Sequence, residues 1–201
     1  MLIKYLGHSS FLIEGEEKSV VTDPFDGIGY AVKRVEADYC TVSHEHFDHN
    51  FVNGVNAKRI IRDSEDGFTA IEVFHDTDFG KKRGKTRIIK FDVDGVTFCH
   101  LGDVGENFSE RLKERIGRID VLFVPVGGNY TIDAKEAKKY IEGINPKIAI
   151  PMHYKFGKSE LDIDGIEKFT AQYRDVVYKS GETEIFKDTL PKTTEIVVMG
   201  W

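Results

Sequence analysis

Short stretches in which apolar and polar residues alternate, or in which apolar residues run together, recur along this chain and predict β-strands. The proline after Asp23 and the pair Asp94-Gly95 mark points where a strand ends and the chain turns. The predicted strands cover residues 2–6, 10–13, 19–22, 39–43, 59–63, 69–74, 87–93, 96–101, 121–126, 147–151 and 195–198.

Segments with a helical pattern are fewer. Ser109 has the position of a helix N-cap, and Asp133 and Glu136 have the spacing of a capping box. Helices are predicted at residues 47–55, 109–116, 133–143 and 164–172. Because strands come first and then alternate with helices, the order predicts an α/β (α+β) fold. No linker or repeat divides the pattern, so residues 1–201 are predicted to form a single domain.

The composition is that of an ordinary globular protein, with 40% hydrophobic and 31% charged residues and a net charge of −6. The negative charge argues against a surface made for nucleic acid.

Cys40 and Cys99 lie in apolar strands, so we expect buried thiols rather than ligands or a disulfide, which fits a reducing compartment. The N-terminus does not read as a signal peptide, and no apolar stretch reaches membrane-spanning length. The sequence therefore predicts a cytoplasmic protein without a membrane partner and leaves its oligomeric state open.

One segment carries most of the chemical information, the run His44-Glu45-His46-Phe47-Asp48-His49. Imidazole and carboxylate are groups with which proteins bind divalent metals. The chain has only seven histidines, so three within six positions are not expected of an ordinary polar loop. The run also follows a predicted strand, where α/β proteins build their sites. We therefore interpret it as a metal-binding segment.

Further residues of ligand type stand at the ends of other predicted strands. A lone histidine is more often structural than a ligand, but neighbouring strands can bring their ends to one edge of a sheet. These residues can then converge on the metal-binding segment. They are Asp23, His75, Asp103 and His153.

The pattern His44-x-His46-x-Asp48-His49 resembles the defining motif of the metallo-β-lactamase superfamily in full. Other segments, in order from residue 7 to about residue 155, resemble a small branch of it that includes ascorbate-phosphate lactonase-like proteins and metal-dependent hydrolases. They are Gly7-His8-Ser9-Ser10, Thr22-Asp23-Pro24, Phe74-His75-Asp76, His100-Leu101-Gly102-Asp103 and Pro151-Met152-His153-Tyr154. The resemblance implies a four-layer αββα sandwich with a dinuclear metal centre at one edge.

The resemblance also implies a division of the ligands between two metals. The first metal would be held by His44, His46 and His75, and the second by Asp48, His49 and His153. Asp103 would bridge the two, so Asp48 and Asp103 are expected to be catalytic as well as metal-binding. These ligand types favour two Zn²⁺ ions, with Mn²⁺, Fe²⁺ or Ni²⁺ as alternatives.

Other polar residues are candidates for roles beside the metals. Asp23 is the best candidate to orient a ligand histidine through its free ring N–H. His8, His100 and Tyr154 are candidates for the acid that protonates a leaving group. For His8 and His100, a purely structural role is an equal alternative.

The implied activity is hydrolysis of an ester, lactone or phosphodiester of a small molecule by a metal-bridging hydroxide. Redox members of the superfamily carry a glutamate at the position of His46. Nucleic-acid-cleaving members carry a large insertion where only 49 residues separate Asp103 from His153 here. A nucleic-acid-processing phosphodiesterase is therefore the less favoured alternative, and a non-catalytic metal-binding or regulatory protein stays open.

A basic run, Lys81-Lys82-Arg83-Gly84-Lys85, follows His75 closely. One interpretation is a solvated hairpin tip, and the other is a clamp for an anionic substrate, because Lys and Arg suit phosphate and carboxylate. The loop Gly127-Gly128-Asn129-Tyr130 could supply N–H groups or a stacking ring to a substrate, or form only a tight turn. Asn129, Tyr130 and Tyr154 complete the candidate substrate residues.

Overall fold

Two β-sheets that share one apolar core dominate the computed structural model, which describes residues 1–200. The strands are β1 (Leu2–Gly7), β2 (Ser10–Glu14), β3 (Ser19–Thr22), β4 (Val35–Thr41), β5 (Val55–Ile61), β6 (Phe68–Phe74), β7 (Lys85–Val93), β8 (Val96–His100), β9 (Val121–Pro125), β10 (Ile148–Met152), β11 (Val177–Lys179), β12 (Glu182–Glu184) and β13 (Glu195–Met199). The helices are α1 (Glu110–Ile116), α2 (Ala134–Ile144), α3 (Glu167–Thr170) and two 3₁₀ helices at Val52–Gly54 and Lys187–Thr189. The predicted mixed α/β class is confirmed.

Strand order and direction decide where the chain can build a site. The first sheet has the order β12-β1-β2-β3-β4-β5, and the second has the order β11-β13-β10-β9-β8-β7-β6. Strands β3, β4 and β5 run parallel, as do β8, β9 and β10. The pairs β6–β7 and β7–β8 are antiparallel, and the predicted turn at Asp94-Gly95 joins β7 to β8. Parallel strands end at the same edge of a sheet.

Buried side chains alternate between two apolar layers along the central strands. In β9, Val121 and Phe123 point into the core between the sheets, whereas Leu122 and Val124 point to the face covered by α1 and α2. A strand buried on both faces reads as a continuous apolar run, which is why the sequence predicts β9 correctly. Phe11 of the first sheet stacks on Phe123 of the second with ring centroids 4.2 Å apart, so the two sheets are in direct contact.

The two longer helices begin where their capping residues predict. The hydroxyl of Ser109 accepts a hydrogen bond from the first turn of α1 at 3.2 Å. The carboxylate of Asp133 accepts two N–H groups from the first turn of α2. Only half of the predicted capping box forms, because the Glu136 side chain accepts a hydrogen bond from Phe108 N at 2.7 Å instead of returning to Asp133.

Irregular chain, rather than an α-helix, covers the outer face of the first sheet within residues 1–200. The helix predicted at 47–55 is wrong, because this segment forms turns and only the 3₁₀ helix Val52–Gly54. Its backbone is bonded elsewhere, since Phe51 N donates to Pro24 O at 2.8 Å. Residues from this loop pack against an outward-facing apolar cluster, which contains Leu12, Val21, Ala37, Cys40 and Val42.

Part of the C-terminal region also differs from the prediction. The helix predicted at 164–172 shortens to α3, because Asp164 N donates to Gly127 O and Asp164 O accepts from Lys155 N. Strands β11 and β12 escape prediction because each has only three, mostly exposed residues. They join different sheets, since β11 pairs with β13 and β12 pairs with β1.

Candidate metal centre

Strand ends bring the candidate ligands to one edge of both sheets. In the first sheet, Thr22 of β3 lies opposite Thr41 of β4, so Asp23 and the loop with residues 44–49 leave the sheet side by side. In the second sheet, β6, β8 and β10 point in one direction. Within three residues of their ends they are followed by His75, Asp103 and His153.

A first cluster contains the three imidazoles of His44, His46 and His75, with one ligand nitrogen from each lying within 4.8 Å of the others. The Nε2 atom of His44 is 3.1 Å from Nδ1 of His46. His44 and His75 are buried, whereas His46 is exposed to solvent. These are the three residues predicted to hold the first metal.

A second cluster contains Asp48, His49 and His153, the residues predicted for the second metal, together with His8. All four side chains are buried and place one ligand atom within 4.8 Å of the others. His8 Nε2 lies 3.4 Å from Asp48 Oδ2, and the ring centroids of His8 and His153 are 4.4 Å apart. His8 therefore lies within the cluster itself, which the sequence did not distinguish from a structural position.

The Asp103 carboxylate lies between the two clusters. Its Oδ2 atom is 3.3 Å from His75 Nε2 of the first cluster and 3.2 Å from His153 Nε2 of the second. Its Oδ1 atom is 3.1 Å from His49 Nε2. A carboxylate in this place can offer one oxygen to each of two cations, which is the arrangement that a bridging ligand requires.

Several buried polar atoms of the clusters have no aligned hydrogen-bond partner within residues 1–200. A buried polar atom without a partner costs about 1–3 kcal/mol, so a group of them is unfavourable unless a cation ligates them. Imidazole and carboxylate donors together are the set that Zn²⁺ and similar ions bind. The residues present therefore fit a divalent metal at each cluster. The atoms are Nε2 of His8 and His49, both ring nitrogens of His75 and His153, and Oδ1 of Asp103.

Asp23 holds His49 from the side opposite the clusters. Its Oδ2 atom accepts the Nδ1–H of His49 at 2.8 Å. Ser43 fixes the carboxylate in turn, because its N–H donates to Oδ1 at 2.8 Å and its hydroxyl donates to Oδ2 at 2.5 Å. With a proton held on Nδ1, the Nε2 atom of His49 is directed at Asp103. This contact has the geometry predicted for Asp23.

The protonation states of His8, His44 and Asp103 are those that metal ligation requires, namely neutral imidazoles and an ionised carboxylate. Burial lowers the pKa of His8 to about 4 and the pKa of His44 to about 3, and nearby imidazoles add to both effects, so these rings are neutral at neutral pH. Burial opposes ionisation of Asp103, but the adjacent histidines hold its pKa well below the ordinary value. For His49, burial is outweighed by Asp103 and the other carboxylates, which raise its pKa well above the ordinary value. A bound metal would take the place of that extra proton.

Three residues of the site have left-handed backbone conformations, which are uncommon for residues other than glycine. The φ angles are 52° at His8, 35° at Asp23 and 51° at His153. Such conformations cost on the order of 1–3 kcal/mol each and persist where the surroundings fix them. His8 O accepts hydrogen bonds from His153 N and from the Tyr5 hydroxyl, both at 3.1 Å, so the two strained turns at the second cluster hold each other.

Both the sequence and the fold match known proteins. Residues 2–153 match the family described as a beta-lactamase superfamily domain. A crystal structure from Thermotoga maritima, described as a proposed zinc-dependent hydrolase of the metallo-β-lactamase superfamily, is 36% identical, with a TM-score of 0.81 over 99% of this chain and 98% of that one. This chain belongs to the metallo-β-lactamase superfamily. The resemblance found in the sequence is thereby confirmed.

Relatives found by sequence show to which part of the superfamily this chain is similar. A metal-dependent hydrolase of the UPF0173 family from Carboxydothermus hydrogenoformans is 34% identical over 77% of this chain and 84% of its own length. A second UPF0173 metal-dependent hydrolase, from Staphylothermus marinus, is 30% identical over 90% of this chain and 97% of its own length. These relatives place the chain among the metal-dependent hydrolases of the metallo-β-lactamase superfamily.

Two residues of this superfamily member do not have the roles predicted from its sequence. His100 is buried, and its Nε2 donates to Ser9 O at 2.8 Å while its Nδ1 accepts from Gly102 N at 3.1 Å. Because both ring nitrogens are used, His100 stabilises a turn and has no free atom for a leaving group. Tyr154 is also buried, and its hydroxyl donates to Met199 O at 3.1 Å. The structure thus contradicts a catalytic role for His100 and a substrate contact for Tyr154.

Two hydroxyl groups that the sequence did not single out hold the ring of His44. Ser43 Oγ lies 2.9 Å and Thr86 Oγ1 lies 3.3 Å from Nδ1 of His44, which leaves Nε2 for the first cluster. Ser43 directly precedes the metallo-β-lactamase motif, and this adjacency is the only signal that could have identified it. Thr86 is 42 residues away from His44, and no pattern in the sequence connects them.

The basic run divides into two parts in the structure. Lys81 pairs with Asp78 at 3.4 Å and Lys85 pairs with Glu72 at 2.5 Å, both exposed, as expected of a solvated hairpin tip. Lys82 and Arg83 instead line a cavity of about 470 Å³ together with His75. Asn129 and Tyr130, the other candidate substrate residues, line the same cavity.

Two further predictions concern groups outside the site. Cys40 and Cys99 are buried free thiols, as predicted, and burial raises the pKa of each to about 12. Neither belongs to the clusters of candidate ligands described above. No helix within residues 1–200 has the length and apolar character needed to cross a membrane.

Proposed function

We propose that this protein is a dinuclear metal-dependent hydrolase that cleaves an ester, lactone or phosphodiester bond in a small molecule. One observation supports two metals rather than one. The Asp103 carboxylate lies within 3.3 Å of a histidine from each cluster, His75 and His153. A shared ligand of this kind is how paired metals in hydrolases are held together.

The residues of each cluster have defined tasks in this proposal. One ion would be held by His44, His46 and His75, the other by Asp48, His49 and His153, and Asp103 would be shared between them. When bound, two such ions lower the pKa of a shared water and polarise the bond that it attacks. The protein fixes the ligands in advance through Asp23, Ser43 and Thr86, so little reorganisation is needed during the reaction.

The shape of the surface supports a small substrate. Two cavities open onto the first cluster, one of about 280 Å³ lined by His44 and His46, and one of about 470 Å³ lined by His75. Volumes of this order fit small molecules. Between Asp103 and His153 the chain forms only α1, β9, α2 and β10, without the insertion of nucleic-acid-cleaving members. Zinc is the proposed metal, in line with the donor set and with the description of the Thermotoga relative.

The decisive experiment combines elemental analysis with an activity panel. Protein purified without added metal is analysed for its metals, loaded with the metal found, and assayed on esters, lactones and phosphodiesters. We expect two metals per chain and turnover that is lost with a chelator. His75→Ala and His153→Ala should each retain about one metal, and the double variant should retain none.

Two results would contradict parts of the proposal. A single metal in fully loaded wild-type protein would contradict the dinuclear site. Two bound metals without turnover anywhere in the panel would favour a metal-binding or regulatory protein instead. The cytoplasmic location and the single-domain organisation stay predictions.

A further inference from the structure

The loop between β6 and β7 has a fixed conformation. A single carboxylate, that of Asp76, accepts hydrogen bonds at 2.8–3.0 Å from the N–H groups of Asp78, Gly80, Lys82 and Arg83. His75 N also donates to Gly84 O at 3.1 Å, which closes the loop directly onto a candidate metal ligand. These hydrogen bonds therefore fix the backbone of Lys82 and Arg83 relative to His75.

Arg83 is further positioned by an aromatic ring. Its guanidinium carbon lies 4.1 Å from the ring centroid of Tyr130, and the side chain is half-buried. Tyr130 sits in a turn in which Asn129 Nδ2 donates to Asp162 O at 2.7 Å. A guanidinium stacked on a ring face keeps the N–H groups in its own plane available. Such an edge binds a carboxylate or phosphate through two parallel hydrogen bonds.

Within residues 1–200, neither of these two cations forms an ion pair. Lys81 and Lys85 pair with acidic residues, but within residues 1–200 neither Lys82 nor Arg83 has a carboxylate oxygen within ion-pair distance. Asp76 lines the same cavity, but its oxygens are occupied by four backbone N–H groups. Two cations against one carboxylate leave the cavity with a net positive charge, and the side chains of Lys82 and Arg83 are free to bind an anion.

The same cavity borders the first cluster of candidate ligands through His75. Its volume is about 470 Å³, and its lining includes the buried His75 and the exposed Thr77. A molecule that contacts Arg83 in this space can therefore also reach His75. Apart from the Tyr130 ring the lining is polar, which favours a small charged ligand over an apolar one.

We propose that Arg83, stacked on Tyr130 and assisted by Lys82, binds an oxyanion of the substrate in this cavity. The inference rests on the proposed hydrolase function and names its substrate class. The substrate is a small ester, lactone or phosphodiester that carries a carboxylate or phosphate remote from the bond that is cleaved. Because such a contact is similar in the ground state and the transition state, it acts on KM rather than on kcat.

The test compares two 4-nitrophenyl esters of similar size, one neutral and one with a free carboxylate, on metal-loaded protein. Arg83→Gln should raise the KM of the anionic ester relative to the neutral ester by at least about tenfold, with a much smaller change in kcat. Lys81→Gln is the matched control, since Lys81 lies in the same loop but pairs with Asp78 and does not line the cavity. Tyr130→Leu should share the defect, and Tyr130→Phe, which keeps the ring face, should not.

A binding measurement separates this inference from the hydrolase function. Inorganic phosphate and glutarate are titrated calorimetrically into metal-loaded wild-type, Arg83→Gln and Lys81→Gln proteins, and the preferred anion identifies the charged group. Arg83-dependent binding without ester hydrolysis would support the anion site and contradict the hydrolase function. Hydrolysis with an unchanged KM ratio and unchanged anion affinity in Arg83→Gln would overturn the anion site and leave the hydrolase function standing.

Discussion

Asp103 places a negative charge where several imidazoles converge. The Nε2 atoms of His49, His75 and His153 lie 3.1–3.3 Å from its oxygens, and Nε2 of His44 lies 3.9 Å away. A buried carboxylate is stable only with compensating partners, and these histidines provide them. A single side chain therefore connects ligands that come from three separate segments of the chain.

Asp103→Ala should affect both clusters at once. The change removes the shared ligand and the charge that balances two cations, so we expect both metals to bind more weakly. The value of kcat/KM on an active substrate should fall by at least about 10²-fold. Elemental analysis and circular dichroism check metal content and fold, with the exposed Asp175→Ala as the control. A fully loaded and active Asp103→Ala protein would show that Asp103 only stabilises a turn.

Candidate ligand histidines differ from structural histidines in their hydrogen-bond partners, and these partners cannot be inferred from the sequence. His75, His100 and His153 all follow or end predicted strands and look equivalent in the sequence. In the structure both nitrogens of His100 are bonded to backbone groups, whereas those of His75 and His153 have no aligned partner within residues 1–200. The motif at 44–49 could be interpreted from sequence because its ligands are adjacent, but the role of a lone histidine depends on distant backbone atoms.

At the scale of elements, the turn that follows β9 packs against the turn that follows β10, and at Gly127 the space is too small for a side chain. A Cβ atom on Gly127, at the end of β9, would overlap with the carbonyl oxygen of His153, at the end of β10. The neighbouring turns therefore set each other's position, and backbone atoms have little freedom to move.

Gly127→Ala should displace the turn that carries His153 and weaken metal binding at the second cluster. We expect the variant to retain about one metal per chain after dialysis against a weak chelator, where the wild type retains two. The control is Gly95→Ala at the β7–β8 turn, where φ is 75° and no atom lies within 4 Å of the added Cβ. It should lose about 1 kcal/mol of stability but no metal. Equal metal content in both variants would show that the turns are independent.

An ion pair between Asp120 and Lys187 connects the start of β9 with the 3₁₀ helix Lys187–Thr189. Asp120 precedes β9, and its carboxylate accepts hydrogen bonds from Thr97 N at 3.0 Å and from Lys187 Nζ at 2.6 Å. Burial opposes ionisation, but these contacts hold the pKa of Asp120 below its ordinary value. A carboxyl whose pKa is lower in the folded state stabilises the protein above the pKa of the unfolded chain, and this contribution disappears as the pH falls.

Asp120→Asn should therefore be destabilising at neutral pH, by about 1 kcal/mol, and less so in acid. The difference in unfolding free energy between wild type and variant should be complete at pH 6 and shrink below about pH 4, near the ordinary pKa of an aspartate. Urea unfolding measured from pH 6 downwards checks this, with the exposed Asp188→Asn as the control. A difference that does not change with pH would assign the effect to packing rather than to charge.

Elements were predictable from sequence where local pattern and tertiary contacts agree. The apolar run of β9 and the cap at Ser109 are such cases. The segment at 47–55 has a helical pattern, but Phe51 N donates to Pro24 O, and Asp48 and His49 belong to the second cluster of candidate ligands. Long-range bonds of this kind override local preference and cannot be inferred from neighbouring residues.

At the scale of the whole molecule, the candidate centre spans both sheets. Residues 44–49 follow β4 of the first sheet, whereas His75, Asp103 and His153 follow strands of the second. Close to the centre, the backbone joins the sheets through a hydrogen bond of 3.1 Å from Arg87 N to Ser43 O. Metals bound here would therefore connect two layers that otherwise share mainly an apolar core.

Removal of metal should lower the stability of the entire fold, because the ligands are brought together only in the folded state. At a free metal concentration 100-fold above each Kd, two sites contribute about 5 kcal/mol, which corresponds to a change in Tm on the order of 10 °C or more. Differential scanning calorimetry of metal-loaded and chelator-treated protein measures this shift, and it should grow with metal concentration. The His75→Ala/His153→Ala protein is the control and should respond little to chelator. An equal Tm with and without metal in the wild type would mean that the clusters do not bind metal in the folded protein.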